Sequence, residues 1–275
     1  MVIEFGDIET AVREAGLTPR GAFHPEPADV VPEVDPGTPA HTLIMVGNAG
    51  PSMWRAFCAN RDPAKDRLDD WSQDILTDIA RCFGAAALYP FSPPHLPFQR
   101  WACQAEPCHS SPLGILIHPG YGLWHSYRGA LAFAERLRLP PVKPQVSPCD
   151  TCSEKPCLTT CPVAAFHDNG YEVPACARHL ADSAGQDCMD HGCRARRACP
   201  VGRPFRYHSD QARFHMDAFL RARRADGPLG PTAVELDKNQ DVVTLPNSSK
   251  TPRATRSHGQ AFPATVQDET RGLDR

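Results

Sequence analysis

Eight of the twelve cysteines in this 275-residue chain lie within a stretch of about fifty residues, and their spacing indicates metal chemistry. The first run has the spacing C-x2-C-x4-C-x3-C-P, and a second, looser run also ends in Cys-Pro. Thiolates are soft ligands that select zinc, copper(I) or iron–sulfur centres, and eight thiolates make two four-thiolate sites. The predicted ligands are Cys149, Cys152, Cys157, Cys161, Cys176, Cys188, Cys193 and Cys199.

The first run resembles the C-x2-C-x2-C-x3-C-P run of bacterial ferredoxins and differs from it only in the second spacing. This resemblance implies two [4Fe–4S] clusters, with the last cysteine of each run reaching across to the other cluster. One cluster would then take Cys149, Cys152, Cys157 and Cys199, and the other Cys161, Cys176, Cys188 and Cys193. Two zinc sites are the alternative, since zinc also accepts four thiolates. Disulfides are not expected without a secretory context.

Residues 113–129 form a second segment whose residue types could bind a ligand. The segment reads L-G-I-L-I-H-P-G-Y-G-L-W-H-S-Y-R-G. An apolar run ends here in a glycine-rich turn that brings aromatic, imidazole and guanidinium groups together. Functional groups often sit where a strand gives way to a loop. Such groups could line a pocket for a flat cofactor that carries anionic or amide groups, and a packed corner of the core is the alternative.

This segment resembles the I-H-P-x-F/Y-G-x-W-x-x-x-R-G segment of the cobalamin-processing, CblC-type decyanases, which have a nitroreductase-like α/β scaffold. The similarity covers roughly residues 40–142 and includes T-L-I-M-V-G-N-A-G-P-S-M-W at 42–54. It implies that this region lines a corrinoid (cobalamin) site and that Arg128 helps to bind glutathione. The family's pocket histidine falls at or near Cys103 here. The implied cofactor-binding residues are Gly114, His118, Tyr121, Trp124 and Arg128.

The order of the two parts resembles that of epoxyqueuosine reductase and the corrinoid reductive dehalogenases, which join a cobalamin domain to two [4Fe–4S] clusters. The resemblance implies a corrinoid-dependent or corrinoid-processing reductase, with an unidentified electron donor and a corrinoid or small-molecule substrate. A flavin is the alternative cofactor, because nitroreductase-like scaffolds often hold one. The alternative functions are a ferredoxin-type electron-transfer protein with a non-catalytic docking domain and a zinc-stabilised adaptor. No residue is assigned a catalytic role.

The elements that must position these residues follow from hydrophobic periodicity. The segment 18–40 contains six prolines and is interpreted as an extended connection over the surface. The predicted elements are a short helix at 7–15, a buried strand at 41–46, a turn at 47–51 into a helix, an amphipathic helix from Leu68 to Phe83 ended by Gly84, a strand at 85–89, a helix near 98–105 and a second buried strand at 113–117.

This order of elements predicts an α/β, nitroreductase-like layered domain over residues 1–142. A proline-rich linker at 140–148 leads to a small ferredoxin-like α+β domain with two clusters over residues 146–208. A helix is predicted at 209–225, and the polar segment 226–275 is predicted to be disordered because it lacks apolar periodicity.

Composition and the absence of long apolar segments predict which classes of partner and which cellular compartment to expect. The net charge of −3 and the pI of about 6.4 predict no nucleic-acid partner. No apolar run reaches eighteen residues, so no membrane partner is expected. The sequence shows no secretory signal, which predicts a cytoplasmic protein.

Four cysteines and three arginines complete the set of candidate residues. Cys58 and Cys82 are predicted to be buried small hydrophobes on helices. Cys103 and the Cys108-His109 pair are candidates for a reactive or metal-binding group, with a structural role as the alternative. The three arginines between two predicted ligands would raise a cluster potential, dock an acidic electron donor or form a solvated loop; they are Arg194, Arg196 and Arg197.

Overall fold

The computed structural model describes residues 3–60, 67–167, 170–225 and 227, which all fall in one compact unit, Met1–Ala233. The predicted disordered tail at 226–275 therefore lies outside the described residues, apart from Gly227. The domain boundary between residues 142 and 146 stays a prediction. Within the described ranges, no helix is long and apolar enough to cross a membrane.

Helices and short strands alternate along the chain. The helices are α1 Phe5–Glu14, α2 Ser52–Asn60, α3 Leu68–Phe83, α4 Phe98–Ala105, α5 Pro156–Thr159, α6 Val173–Ala181, α7 Gln186–His191, α8 Arg194–Ala198 and α9 Ser209–Ala225. The strands are β1 Thr18–Phe23, β2 Thr42–Ala49, β3 Ala86–Leu88, β4 His109–Ser110, β5 Leu116–Ile117, β6 His125–Phe133, β7 Phe166–His167 and β8 Gly170–Tyr171.

Four strands form an antiparallel sheet in the order β1-β2-β6-β3, and helices cover both of its faces. On β2, Ile44 and Val46 face a core shared with α1, α2 and α3. Leu43 and Met45 point to the other face and pack with Trp101 of α4. Successive side chains of a strand alternate between faces, so a strand buried on both sides reads as a continuous apolar run. The prediction of layered helices and sheet is confirmed in this coarse form.

The helix predicted from the period of Leu68 to Phe83 is present with those bounds. It ends at Gly84, whose φ of 66° lies in the left-handed region that glycine adopts without penalty. The helices predicted at 7–15, 98–105 and 209–225 also form, as α1, α4 and α9.

Two predictions near the sheet edge were wrong. The segment 18–40 is not only a surface connection, because it contains the edge strand β1, in which Arg20 is fully buried. The turn expected from Gly47 begins later, since β2 continues to Ala49 through a bulge after Val46. An edge strand tolerates proline, so the prolines of this segment did not exclude a strand there.

The strand predicted at 113–117 is much shorter and lies elsewhere. Only Leu116–Ile117 is extended, and it pairs with β4 in a separate two-stranded sheet, while Ile115 is 41% exposed. Residues 125–129, expected to belong to a pocket-lining turn, instead begin β6, which is one of the two inner strands of the main sheet. β6 pairs with both β2 and β3, so its position depends on partners distant in sequence.

The cysteine-rich part consists of short helices and a two-stranded hairpin formed by β7 and β8. Helix α9 packs against α6 and α7, with Leu220 in a small core beside Cys188. The same helix contacts the core of the sheet, because Phe214 packs against Trp54 and Phe57 of α2. One helix thus contacts both the sheet and the cysteine-rich part.

Candidate functional site

The first group of cysteines surrounds α5 and the end of α8. Burial, and after it the nearby thiols, raises the pKa of Cys149 and Cys157. The charge of Cys199 raises the pKa of both thiols, and the charge of Cys152 raises the pKa of Cys199. These four thiols line one small cavity with the apolar Ile117 of β5. The members of this first cysteine group are Cys149, Cys152, Cys157 and Cys199.

The second group lies between the hairpin, α6 and α7. Burial raises the pKa of Cys176 to about 11, although the Tyr171 hydroxyl donates to its sulfur. Cys161 is the last cysteine of the first sequence run, yet its charge acts on thiols of this second group. Its sulfur accepts a hydrogen bond from the Ala165 N–H at 3.3 Å. The members of this second cysteine group are Cys161, Cys176, Cys188 and Cys193.

The donor sets fit metal centres. Several of these thiols raise the pKa of their neighbours, so the four of a group would repel one another as thiolates, and a cation between them removes this cost. Backbone N–H groups of α8 point at two of the sulfurs, since Arg194 donates to Cys188 and Arg196 donates to Cys193. Such bonds tune the potential of an iron–sulfur centre. Zinc fits the same four sulfurs.

Helix α8 connects the two cysteine groups. Cys193 immediately precedes it and Cys199 immediately follows it. At a rise of about 1.5 Å per residue, six residues of helix span roughly 9 Å. The two candidate centres are therefore neighbours, and side chains of α8 lie between them.

A cavity of about 450 Å³ opens beside α8, and we call it the Arg196 cavity. Its walls come from β5, β6, α4, α8 and α9. Arg196 of α8 donates to the Leu123 carbonyl and stacks over the rings of Trp124 and Tyr207, at 4.5 and 4.8 Å from their centroids. The polar and aromatic lining residues include His125, Tyr127, Arg128, Arg196, Tyr207 and His215.

The structure does not bring all the predicted cofactor-binding residues together. Arg128 lines the Arg196 cavity, and its guanidinium donates to Asp69 and Ser72 of α3, outside the cavity. His118 lines a different cavity, of about 240 Å³, together with the carboxylate of Glu106. The ring of His118 stacks on Tyr121 at 4.4 Å, and its Nδ1 accepts from the Gly120 and Tyr121 N–H groups.

The two remaining predicted residues have other surroundings. Trp124 is 2% exposed beneath Arg196, and its indole N–H has no partner among the described residues. Gly114 has a φ of 73° in an exposed turn with open space around it. Its neighbours Ile115 and Leu116 do reach the Arg196 cavity.

A buried polar network at the edge of the sheet was not found from the sequence. Arg20 donates to both oxygens of Glu106, to the Asn48 carbonyl and to Nδ1 of His125. Because an arginine can only donate, Nδ1 of His125 accepts, and its Nε2 donates to the Leu116 carbonyl at 3.1 Å. Nothing in the sequence linked these residues, since Arg20 and His125 are 105 positions apart.

Cys108 belongs to this network. Its thiol lies 3.1 Å from the Tyr127 hydroxyl, and burial, followed by Glu106, raises its pKa to about 12. Glu106, Cys108 and His125 lie close enough to share a metal ion. Arg20 already holds the carboxylate and the imidazole, however, so an ion would have to displace a buried guanidinium. We assign the group a structural role.

The other cysteines outside the two groups are exposed. The prediction that Cys58 and Cys82 are buried was wrong, because both lie on outer faces of their helices. Cys103 is also exposed as a residue, and the partial burial of its thiol, followed by Glu106, raises its pKa. A reactive cysteine needs a lowered pKa, so neither Cys103 nor Cys108 is activated.

No family model matches the chain, and no curated protein matches it significantly. Solved structures of epoxyqueuosine reductase show a distant similarity to the chain. The enzyme from Streptococcus thermophilus gives a TM-score of 0.43 at 15% identity and covers 72% of this chain and 65% of its own. An epoxyqueuosine reductase with an epoxyqueuosine-modified tRNA-Tyr stem loop gives 0.44 at 14% identity, covering 74% and 66%. A selenomethionine-labelled epoxyqueuosine reductase gives 0.43 at 13%, covering 75% and 68%. The chain thus spans just under two thirds of the first two, and the likeness is distant.

Proposed function

We propose that this protein is an iron–sulfur oxidoreductase in which two [4Fe–4S] clusters pass electrons to a corrinoid held in the Arg196 cavity. The observation that carries the proposal is the division of eight thiols into two groups of four, joined by α8. Cys161 and Cys199 each associate with cysteines of the other run. That exchange is the ligation pattern of two-cluster ferredoxins.

When bound, the clusters would supply electrons one at a time, and the corrinoid would accept them. The chain would hold the donor and acceptor sites close together. Arg196 lies between Cys193 and Cys199 in sequence, and its guanidinium reaches the wall of the cavity. Its two hydrogen bonds to the Leu123 carbonyl hold α8 against the loop before β6.

The size and lining of the cavity support a ligand role. Ligand pockets are usually about 300–1,000 Å³, mostly apolar, with a few convergent polar groups. The Arg196 cavity has the apolar Phe98, Ile115 and Leu116 beside Arg128. We therefore retain Arg128 as the proposed cofactor contact. His118, Tyr121 and Trp124 are proposed instead to hold the loop before β6, whose Leu123 carbonyl binds Arg196.

The test begins with anaerobic purification of the full chain, followed by iron, sulfide and zinc analysis. We expect about eight iron and eight sulfide per chain, as two four-iron clusters require. Stoichiometric zinc without sulfide would overturn the iron–sulfur assignment.

The corrinoid part of the proposal is tested separately by titrating the iron-loaded protein with cob(II)alamin. We expect the corrinoid spectrum to shift on binding and to shift again when the clusters are reduced. Arg128→Ala should weaken this binding while leaving the iron content unchanged. If the spectrum never shifts at micromolar protein, while the iron analysis succeeds, the electron-transfer protein with a docking domain is the better account.

A further inference from the structure

The described lining residues of the Arg196 cavity carry positive charge and include no carboxylate. Two of its lining side chains are guanidinium groups, those of Arg128 and Arg196, and none of the described lining side chains is an aspartate or glutamate. Burying a charge without a partner is costly, so an excess of one sign in a cavity indicates a ligand of the opposite sign.

The two arginines differ in how they are compensated. Arg128 is paired with Asp69, which lies on α3 outside the cavity. Arg196 is partly buried, and its partners in the described part of the chain are the Leu123 carbonyl and two aromatic rings. It therefore has no carboxylate partner there. A carbonyl oxygen and ring faces accept hydrogen bonds and attract cations, but they do not neutralise the charge.

Among the arginines of α8, only Arg196 lacks a carboxylate partner within the described part of the chain. Arg194 and Arg197 both form ion pairs with Asp187 of α7. The helix thus directs two arginines to an acidic partner and the third into the cavity.

The arginine charges also lower the pKa values of two histidines in the wall, His125 and His215. Burial, and after it Arg196 and Arg128, lowers the pKa of His215 to about 4. Burial, followed by Arg20, lowers the pKa of His125 to about 2, and Arg196 also contributes. Both histidines are neutral at pH 7, so the wall offers neutral donors and acceptors around two fixed positive charges.

We propose that the Arg196 cavity binds a ligand through an anionic group, a carboxylate or a phosphate, held by the guanidinium of Arg196. The inference rests on the proposed function, since it concerns the same cavity and specifies the chemistry of what enters it. A planar guanidinium matches the two oxygens of a carboxylate or phosphate, and charge-assisted bonds of this kind are strong. The anionic group can belong to the cofactor or to the substrate.

Inorganic phosphate is the probe for the site, and its binding to the iron-loaded full chain can be followed by phosphorus nuclear magnetic resonance at low salt. We expect saturable binding that Arg196→Gln weakens at least about tenfold, because the variant loses a charge-assisted pair. Arg194→Gln is the matched control, since it removes the same charge from the same helix outside the cavity, and it should leave the affinity unchanged. Arg196→Lys, which keeps the charge, should retain most of the binding.

Two ligand pairs then identify the source of the anionic group. Riboflavin 5′-phosphate is compared with riboflavin, and cobalamin with cobinamide, which lacks the phosphate-bearing nucleotide loop. A preference for the phosphate-bearing member that Arg196→Gln abolishes assigns the anion to a cofactor. Saturable phosphate binding without either preference assigns it to the substrate.

The proposal is overturned if phosphate does not bind, if Arg196→Gln binds it as tightly as the unchanged protein does, or if Arg194→Gln weakens binding as much as Arg196→Gln. Iron and sulfide content is measured in every variant. A protein that contains zinc but still binds phosphate through Arg196 would refute the iron–sulfur function and leave the anion site standing. An intact iron–sulfur protein that does not bind phosphate would refute the anion site and leave the iron–sulfur function standing.

Discussion

Among single residues, Cys161 acts electrostatically on the second cysteine group. It ends the first cysteine run, but its charge raises the pKa of Cys176, Cys188 and Cys193. Cys199 ends the second cysteine run, but its charge raises the pKa of Cys149 and Cys157, which belong to the first run. Substitution of one terminal cysteine should therefore damage the centre formed mainly by the other run.

We predict that Cys161→Ser removes about half of the iron and selectively removes the cluster held by Cys176, Cys188 and Cys193, since one of two four-iron clusters loses a ligand. Electron paramagnetic resonance of the reduced protein, with iron analysis, measures this. Cys152→Ser is the control and should remove the other signal. Loss of the same signal in both variants would contradict crossed ligation.

His215 provides a pH-dependent prediction. Its pKa in the folded protein is about 4, whereas an unfolded histidine titrates near 6.5. Below pH 6.5 the unfolded chain therefore binds a proton that the folded chain does not, and the free energy of unfolding falls as the pH drops from 6.5 toward 4. Each pKa unit is worth about 1.4 kcal/mol, so the shift from 6.5 to about 4 corresponds to a full loss of about 3.5 kcal/mol.

The measurement is denaturant unfolding of the unchanged protein and of His215→Asn between pH 7 and pH 5. The variant should lose less stability than the unchanged protein over this range. Because the comparison is a difference between two proteins, acid effects on the metal centres cancel. Equal losses in both proteins would show that His215 does not titrate as proposed.

At the level of elements, the loop before β6 and the segment after Cys199 lie in very close contact. Gly122 has a φ of 60°, and a Cβ added to it would lie 2.1 Å from the Val201 carbonyl oxygen. Gly202 has a φ of 71°, and its added Cβ would lie 2.2 Å from the Tyr121 carbonyl oxygen. The two glycines thus permit the segment after Cys199 to pack closely against the loop before β6.

We predict that Gly122→Ala destabilises the protein and lowers its iron content. The alanine would meet both the left-handed strain, roughly 1–2 kcal/mol, and a backbone clash. Gly114→Ala is a matched control, because its φ of 73° imposes similar strain while nothing lies within 4 Å of the added Cβ. Thermal melting and iron analysis of both variants test this, and equal effects would show that the contact is unimportant.

At the scale of the whole molecule, α9 joins the sheet and the cysteine-rich part into one unit. Near the start of this helix, Asp210 accepts a hydrogen bond of 2.6 Å from the indole of Trp54, and Phe214 packs on the same indole. Further along the helix, Leu220 packs in the small core that includes Cys188. A helix that packs on both parts should make them unfold together.

We predict one thermal transition in which tryptophan fluorescence and the visible absorbance of the clusters are lost at the same temperature. Phe214→Ala should lower both midpoints equally, because truncating a packed aromatic ring costs up to about 3–5 kcal/mol. Fluorescence and absorbance recorded on one sample during heating provide the test. Two separated transitions would indicate independent domains.

The net charge of the whole chain conceals a strong local bias. Residues 194–225 contain nine arginines and two aspartates, although the chain as a whole carries −3. The net charge sums over all 275 residues, so acidic residues elsewhere cancel the excess of arginine in this stretch. Binding responds to the local field as well as to the net charge. The expectation that no nucleic acid binds therefore stays a prediction, and the basic stretch is where it should be tested.

Features that depend on local spacing could be recognised before the fold was known. The eight candidate ligands, the helix Leu68–Phe83 with its end at Gly84, and the buried strand β2 all follow from residue types a few positions apart. Thiol chemistry and helical periodicity are properties of short segments, and no distant partner is needed to recognise them.

Features that depend on distant partners became visible only in the folded chain. β6 is an inner strand because β2 and β3 pair with it, and the positions of Arg20 and Arg196 depend on partners 105 and 73 residues away. A buried arginine is stable only where acceptors from other elements meet it, and sequence spacing does not encode that meeting. The cavity and its unbalanced charge therefore arise from packing between elements, whereas the thiol chemistry of the cysteines follows from their order in the chain.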